Sequence, residues 1–435
     1  MEMRDITQEA TLLRSYHTVF VGNQRHELLR IFRSHGGKFP VFTSLVFTAA
    51  PVTSGSPVDL LDYRMREGMD DSEVGRIFIL ERNDNGGDTR LTRLFFVWIS
   101  PKQVAKFSSG GPDALRAKVS VLFHPAAGLD KYPTYWQGDI DPVKLPNFLE
   151  LGARYLCKEK HVVTQHFCAV RPGDKEGVRA KSCPFTGLVV VPVSSAASFN
   201  NLADPRELEE ALKHIVRRCY EGVTRKIEPA SSVTLERVAV AGYSRSGTLL
   251  RQLLDNTGSN EPFMRSVLRE LYAFDVMLDE RDREGKVVKN KQQGYDEFWA
   301  KLKKWQADDP DRRIRLYSAE PTTVANIYAE LRDRLKRHGG GYHNPAAPFS
   351  AFNGKPRREG SGNYAGLTNG YEIYSTDNSR SLVVLPHGNP QVYLSTEHIV
   401  NPSGFAPGGD YEPDLEGHSW FVSRLYTHAL LHSGF

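Results

Sequence analysis

The chain has 435 residues, of which 40% are hydrophobic and 25% are charged. With a mean hydropathy of −0.44, this composition is typical of a soluble globular protein and excludes a disordered or membrane-embedded chain. The 56 basic and 52 acidic residues leave a formal net charge of only +4, so a nucleic-acid partner is not predicted.

Three features of the sequence predict where the protein is located. The first five residues include two acidic ones and no apolar segment follows them, so no secretory signal is predicted. No apolar run approaches the roughly 18 residues that a membrane span requires. The four cysteines form no C-x-x-C pair, which favours free thiols, with a disulfide between Cys168 and Cys183 as the alternative. Together these features predict a cytoplasmic protein without a transmembrane segment.

Residues 1–115 are predicted to be rich in β-strand. Short runs of β-branched and aromatic residues predict strands at 18–21, 41–47, 76–80 and 94–99. These strands could add antiparallel to a main sheet or form a small separate layer, and the sequence leaves both arrangements open.

From residue 116 onward, apolar strands alternate with segments of helical periodicity. This alternation predicts a mostly parallel sheet flanked by helices, and therefore an α/β fold. The predicted strands are 119–123, 187–193, 238–241, 271–275, 313–318 and 381–386. The predicted helices are 146–160, 204–221, 248–254, 295–305, 323–337 and 418–431. Residues 116–435 are expected to form one domain, with long loops at 338–380 and 387–417.

The sharpest motif follows the predicted strand 238–241, where small residues flank a central serine. Gly242, Ser244 and Ser246 occupy alternate positions before helical spacing resumes. A serine on a strained turn between strand and helix presents its hydroxyl above the sheet, and bulky residues two positions away would clash with the crossing helix. This nucleophile elbow resembles that of the α/β-hydrolase family, with Gly-Tyr-Ser-Arg-Ser in place of the commoner G-x-S-x-G. Ser244 is the predicted nucleophile, and Ser246 is the alternative.

The resemblance implies a catalytic triad in the chain order Ser, then Asp or Glu, then His. A serine hydroxyl is a weak nucleophile, so it requires a base, and the base requires an orienting carboxylate. The implied base is His418, which follows the last predicted strand, and His387 is the alternative. The implied carboxylate is Asp275, at the end of the strand after the elbow, and Glu320, after the next strand, is the alternative.

A serine hydrolase also needs backbone donors aimed at the oxyanion that develops on the substrate. The resemblance implies two of them: the amide after the nucleophile, here that of Arg245, and an amide in the loop after an earlier strand. That loop begins at His124. Because Pro125 has no N–H, Ala126 or Ala127 is the second predicted donor.

The function implied by the resemblance is a serine hydrolase that cleaves a carboxylic ester through an acyl-enzyme intermediate, like a carboxylesterase or lipase. A small-molecule or lipid ester is the expected substrate, and no cofactor or metal is expected. Two other functions stay open: an acyltransferase or thioesterase on the same triad, and a non-catalytic binding protein on the same fold. The sequence predicts neither the acyl chain nor the oligomeric state.

Overall fold

The structure is a computed structural model that describes part of the chain in residue detail. The described residues are 3–5, 75–82, 92, 94–111, 113–124, 185–193, 199–282, 284–309, 311–317, 326–327, 330, 371–375, 381–386, 426 and 429–430. The strands in these residues are β1 (Met3–Asp5), β2 (Arg76–Arg82), β3 (Leu94–Ile99), β4 (Arg116–Phe123), β5 (Leu188–Val193), β6 (Thr234–Tyr243), β7 (Leu268–Phe274), β8 (Glu280–Arg281), β9 (Val287–Lys289), β10 (Arg313–Tyr317), β11 (Tyr371–Ser375) and β12 (Ser381–Pro386).

Ten of the described strands form one mixed, mostly parallel sheet in the order β1-β2-β3-β5-β4-β6-β7-β10-β12-β11. The six strands from β5 to β12 in this order pair in parallel. Strands β1, β2 and β3 add antiparallel at one edge, and β11 does so at the other. Strands β8 and β9 form a separate hairpin. The predicted α/β class with a mostly parallel sheet is confirmed.

The strand order contains a topological switch point between β4 and β6. These two strands are neighbours, but the chain leaves β4 to reach β5 on one side and leaves β6 to reach β7 on the other. In open α/β sheets, ligands bind in the crevice outside the carboxyl ends of such strands. Phe123 and Tyr243 are the last residues of β4 and β6, so this crevice begins at His124 and Ser244.

Local sequence signals explain where the main helices begin and end. Those helices are α1 (Pro101–Ser109), α2 (Pro205–Thr224), α3 (Gly247–Asp255) and α4 (Lys291–Ala307). The Ser100 hydroxyl caps the start of α1, and Gly110 ends it in the left-handed conformation that glycine adopts without strain. Asp204 caps α2, and Asn290 forms a capping box with Gln293 at the start of α4.

The sheet has an apolar face, against which the four helices pack. Successive residues of a strand point to opposite faces, and on β4, β6, β7 and β10 the buried residues of one alternating set are apolar. The larger aliphatic members of this set are Val119, Val121, Val238, Val240, Leu271, Ile314 and Leu316. It forms one buried cluster with Phe107 of α1, Leu212 of α2, Leu250 of α3 and Phe298 of α4.

The opposite side of the same strands is a polar face, defined here by Ser120, Glu270, Tyr272, Phe274, Arg315 and Tyr317. These side chains are almost fully buried. The Glu270 carboxylate accepts hydrogen bonds from Arg237 Nε at 2.8 Å and from the Tyr272 hydroxyl at 2.5 Å. Burial without compensation would be costly for a carboxylate, so these two donors allow Glu270 to lie inside the sheet layer.

Two elements differ from the sequence predictions. Helix α1 lies within residues 1–115, which were predicted to be rich in strand, and β11 lies within the predicted loop 338–380. The predicted strands 18–21 and 41–47 lie outside the described residues.

Two sequence predictions, on membrane spans and on cysteine pairing, can be compared with the structure for the described residues only. Among the described residues, no helix combines the length and the hydrophobicity needed to cross a membrane. Cys219 is buried with a free thiol. Cys168 and Cys183 lie outside the described residues.

Candidate active site

The candidate site is built on the turn between β6 and α3. Strand β6 ends at Tyr243, a single 3-10 turn covers Ser244–Ser246, and α3 begins at Gly247. Ser244 has a φ of 57°. This left-handed backbone is uncommon for a residue other than glycine and costs of the order of 1 kcal/mol or more, so the surrounding contacts must hold it in place.

Gly242 lets α3 approach β6 closely. A Cβ at this position would lie 2.9 Å from the Leu250 side chain and 3.0 Å from the Ser246 carbonyl oxygen. Both distances are too short for a side chain, because the helix crosses directly over the strand end. The first small position of the motif is therefore required by packing.

Gly247 has a similar role on the other side of the turn. A Cβ at Gly247 would lie 2.5 Å from Cβ of Val276, in the segment that follows β7. In the same segment, the Met277 amide donates a hydrogen bond of 2.8 Å to the Ser244 carbonyl. The glycine that stands one place late in the motif thus allows the β7 segment to reach the turn and bind the backbone of Ser244.

Ser246 connects the turn to β4. Its side chain is fully buried, and its hydroxyl donates a short hydrogen bond to the backbone carbonyl of His124, the residue that follows β4. The His124 ring is also fully buried and packs edge-on against Phe199 at a centroid distance of 5.0 Å. The two strands at the switch point are therefore linked at their carboxyl ends.

Asp275 lies beside Ser244 at the end of the neighbouring strand. Tyr243 and Phe274 are register partners in the parallel pair of β6 and β7, so the residues that follow them leave strands about 4.8 Å apart. Asp275 is 3% exposed and has a φ of 42°. Its amide donates a 2.7 Å hydrogen bond to the Tyr317 carbonyl at the end of β10, which fixes the direction in which the chain leaves β7.

Arg245, next to Ser244, is exposed. No ion pair of its guanidinium is found within the described part of the chain. Its amide belongs to the first turn of a 3-10 helix, where N–H groups have no acceptor within the helix. Chemically, this amide can donate a hydrogen bond to a group placed next to Ser244.

The part of the polar face that is nearest to Asp275 consists of aromatic side chains. The rings of Phe274 and Tyr317 stack at 4.7 Å, and Tyr426, from the C-terminal part of the chain, packs edge-on against Phe274 at 5.9 Å. The Tyr426 hydroxyl shares a 2.8 Å hydrogen bond with that of Ser120 on β4. Burial raises the pKa of Tyr317 and of Tyr426 well above the ordinary value, so both phenols stay protonated at physiological pH.

The structure thus brings together four predicted residues at the carboxyl ends of β6 and β7: Ser244, Arg245, Ser246 and Asp275. The other predicted site residues lie outside the described residues: Ala126, Ala127, Glu320, His387 and His418. Three of them follow the described strands closely in sequence. His124, the last described residue after β4, precedes Ala126 by two positions, and Tyr317, the last residue of β10, precedes Glu320 by three. Ser244 and Asp275 directly follow the ends of two neighbouring strands, β6 and β7, and His418 and His387 lie outside the described residues.

Two contacts of the turn were not predicted from the sequence: the bond from the Ser246 hydroxyl to His124 and the contact between Gly247 and Val276. His124 is separated from Ser246 by 122 positions, and no local pattern links the two. The available signal was the departure of the motif itself, which has a serine and then a glycine where one glycine is commoner.

The described residues contain no group of three or more histidine, cysteine, aspartate or glutamate side chains placed to hold a metal ion. Comparisons with protein-family models, curated proteins and solved structures found no match for this chain.

Proposed function

We propose that the protein is a serine ester hydrolase of the α/β-hydrolase fold, with Ser244 as its nucleophile. The observation that carries this proposal is the left-handed backbone of Ser244 on a strand-to-helix turn. Such strain persists only where surrounding structure enforces it, and it is concentrated at functional sites. A serine on a sharp turn after a buried strand is the arrangement of a nucleophile elbow.

The position of the turn in the sheet supports the same function. The turn follows β6 at the switch point between β4 and β6, where open α/β sheets bind their ligands. Three contacts fix it there: the closeness of Gly242 to Leu250, the Met277 amide on the Ser244 carbonyl, and the Ser246 hydroxyl on His124. A nucleophile held in this way needs little reorganisation before it attacks.

In the proposed reaction, His418 accepts the proton of Ser244 while the serine oxygen bonds to the acyl carbon. The tetrahedral intermediate then collapses, the bond to the alcohol oxygen breaks, and His418 returns the proton to the leaving group. A water molecule attacks the acyl-enzyme with His418 again acting as base, which releases the acid and restores the serine hydroxyl.

Two further groups complete the proposed machinery. The Asp275 carboxylate orients the imidazole and stabilises its cation, and the Arg245 amide donates to the oxyanion. Ser246 does not compete as nucleophile in this proposal, because its hydroxyl is fully buried and donates to a backbone carbonyl. An activated serine instead needs its hydroxyl directed at a base and at substrate.

The proposal is tested by labelling the full-length protein with a fluorophosphonate probe, followed by peptide mass mapping and by kinetics with a short-chain aryl ester. We expect covalent label on Ser244 and its loss in Ser244→Ala, with kcat reduced about a million-fold. Ser232→Ala is the matched control because Ser232 is exposed on a 3-10 turn before β6, and it should label normally. Absence of label on folded wild-type protein would refute the proposal.

The choice of acid is tested separately. Asp275→Asn should reduce kcat about 10⁴-fold, since an amide can no longer stabilise the imidazolium, while Glu320→Gln should retain most activity. The opposite ranking would assign the orienting role to Glu320.

A further inference from the structure

The motif Gly-Tyr-Ser-Arg-Ser carries a hydroxyl at a position where small size alone would allow glycine or alanine. The described structure gives this hydroxyl one role, which is to donate a hydrogen bond from Ser246 Oγ to the carbonyl of His124. Both residues are 0% exposed. A buried carbonyl at a strand end requires a donor, and losing one costs about 1 to 3 kcal/mol.

The bond joins two chain segments at the place where the proposed reaction needs precision. His124 is the point at which the chain leaves β4, and Ser246 lies two residues after the proposed nucleophile. The backbone ladder between β4 and β6 ends at the pair Phe123 and Gly242. The Ser246 hydroxyl therefore extends the connection between the two strands beyond the end of their ladder.

We propose that Ser246 is a positioning residue, whose hydroxyl holds the carboxyl end of β4 at a fixed distance from Ser244. This inference rests on the proposed function and on the sequence prediction that the chain leaving β4 supplies a second oxyanion donor, Ala126 or Ala127. An amide acts on an oxyanion only within about 2.7 to 3.1 Å, so the point at which the chain departs from β4 affects the donor's position. The serine in place of the commoner glycine is explained by this bond.

A role in positioning predicts a specific kinetic signature. Oxyanion donors act mainly in the transition state, so displacing one lowers kcat while KM stays nearly constant. A residue that served only as a small spacer would accept both alanine and glycine without loss. A residue that served as the nucleophile would lose all covalent labelling on replacement.

The test compares Ser246→Ala and Ser246→Gly with the wild-type protein in steady-state kinetics, fluorophosphonate labelling and hydrogen exchange of the peptide that contains the end of β4. We expect both variants to label on Ser244, to lose between about 10-fold and 100-fold in kcat, and to keep KM within twofold. Amide exchange at the end of β4 should become about tenfold faster. Thr257→Val is the matched control, because it removes a 2.8 Å hydroxyl-to-carbonyl hydrogen bond to Leu254 just beyond the end of α3.

The outcomes separate this inference from the proposed function. Unchanged exchange at the end of β4, or kcat within twofold of wild type in both Ser246 variants, would overturn the positioning role while leaving Ser244 as nucleophile. Label on Ser246 itself would also overturn it. A wild-type protein without label on Ser244 would refute the proposed function, and the exchange rates alone would then show whether Ser246 anchors β4.

Discussion

The two faces of the sheet share the same strands but are stabilised in different ways. On β7, Leu271 points to the apolar face, where it packs among aliphatic side chains and helices. Its neighbours Glu270 and Tyr272 point to the polar face, where the Tyr272 hydroxyl donates a hydrogen bond to the Glu270 carboxylate. The apolar face gains free energy from each buried methylene, roughly 0.8 kcal/mol, whereas the polar face depends on every buried group having a partner.

This difference matters because the candidate site lies at the end of the polar face. Phe274 and Tyr317 end β7 and β10 and stack against each other. Asp275 directly follows Phe274, and its amide donates a hydrogen bond to the Tyr317 carbonyl. Tyr426 contacts Phe274 and Ser120, so its side chain also belongs to this face. Substitutions on the apolar face should therefore lower the free energy of unfolding according to the side-chain volume that is lost. Substitutions on the polar face should lower it according to the hydrogen-bond and ion-pair partners that are lost.

The largest effect is expected from Glu270→Leu. This variant leaves Arg237 and Tyr272 without their shared acceptor, and breaking a buried charged pair costs about 4 kcal/mol. The measurement is the free energy of unfolding in urea. Glu236→Gln is the control, because its ion pair with Arg116 is more exposed and should contribute less than about 1 kcal/mol. Equal losses in the two variants would show that the polar face does not depend on pairing.

On the apolar face, Leu271→Ala should lower the free energy of unfolding by about 3 kcal/mol, because Leu271 is 1% exposed and a cavity remains. Leu271→Met keeps the volume and should cost less than about 1.5 kcal/mol. If methionine proved as damaging as alanine, shape rather than volume would govern this face.

High pH should act on the polar face through its buried tyrosines. Burial raises the pKa of Tyr272, Tyr317 and Tyr426. Above pH about 10 the unfolded chain loses these protons while the folded protein keeps them, so stability is fully present below that pH and falls as pH rises. Tyr317→Phe should reduce the alkaline slope by about 1 kcal/mol per pH unit in urea unfolding between roughly pH 10 and 11, because the unfolded phenol is only partly ionised over that range. An unchanged slope would contradict the assignment.

The smallest effect is expected for the hydrogen bond between Ser120 and Tyr426. A double-mutant cycle of Ser120→Ala and Tyr426→Phe should give a coupling energy of about 1 kcal/mol, the usual value for one buried hydrogen bond between neutral groups. Additive losses in the double variant would mean that the two hydroxyls do not stabilise each other.

Most strands and helices could be predicted because their signals are local. The aliphatic run before Gly242 predicted β6, and the alternation of strands and helices predicted a parallel α/β sheet. Helix α1 was missed although Ser100 and Gly110 mark both of its ends. The predictions for residues 1–115 rested on runs of β-branched and aromatic residues, and these capping signals were not used.

The sequence by itself determined the turn of the candidate site, because small residues at alternate positions after a buried strand suffice to indicate it. Only the tertiary structure decided what each small residue is for. Gly242 admits Leu250, Gly247 admits Val276, and Ser246 bonds to His124. These partners lie on other elements, and strand order rather than local periodicity brings them together. For the same reason, the pairing of Glu270 with Arg237 became visible only once β6 and β7 lay side by side.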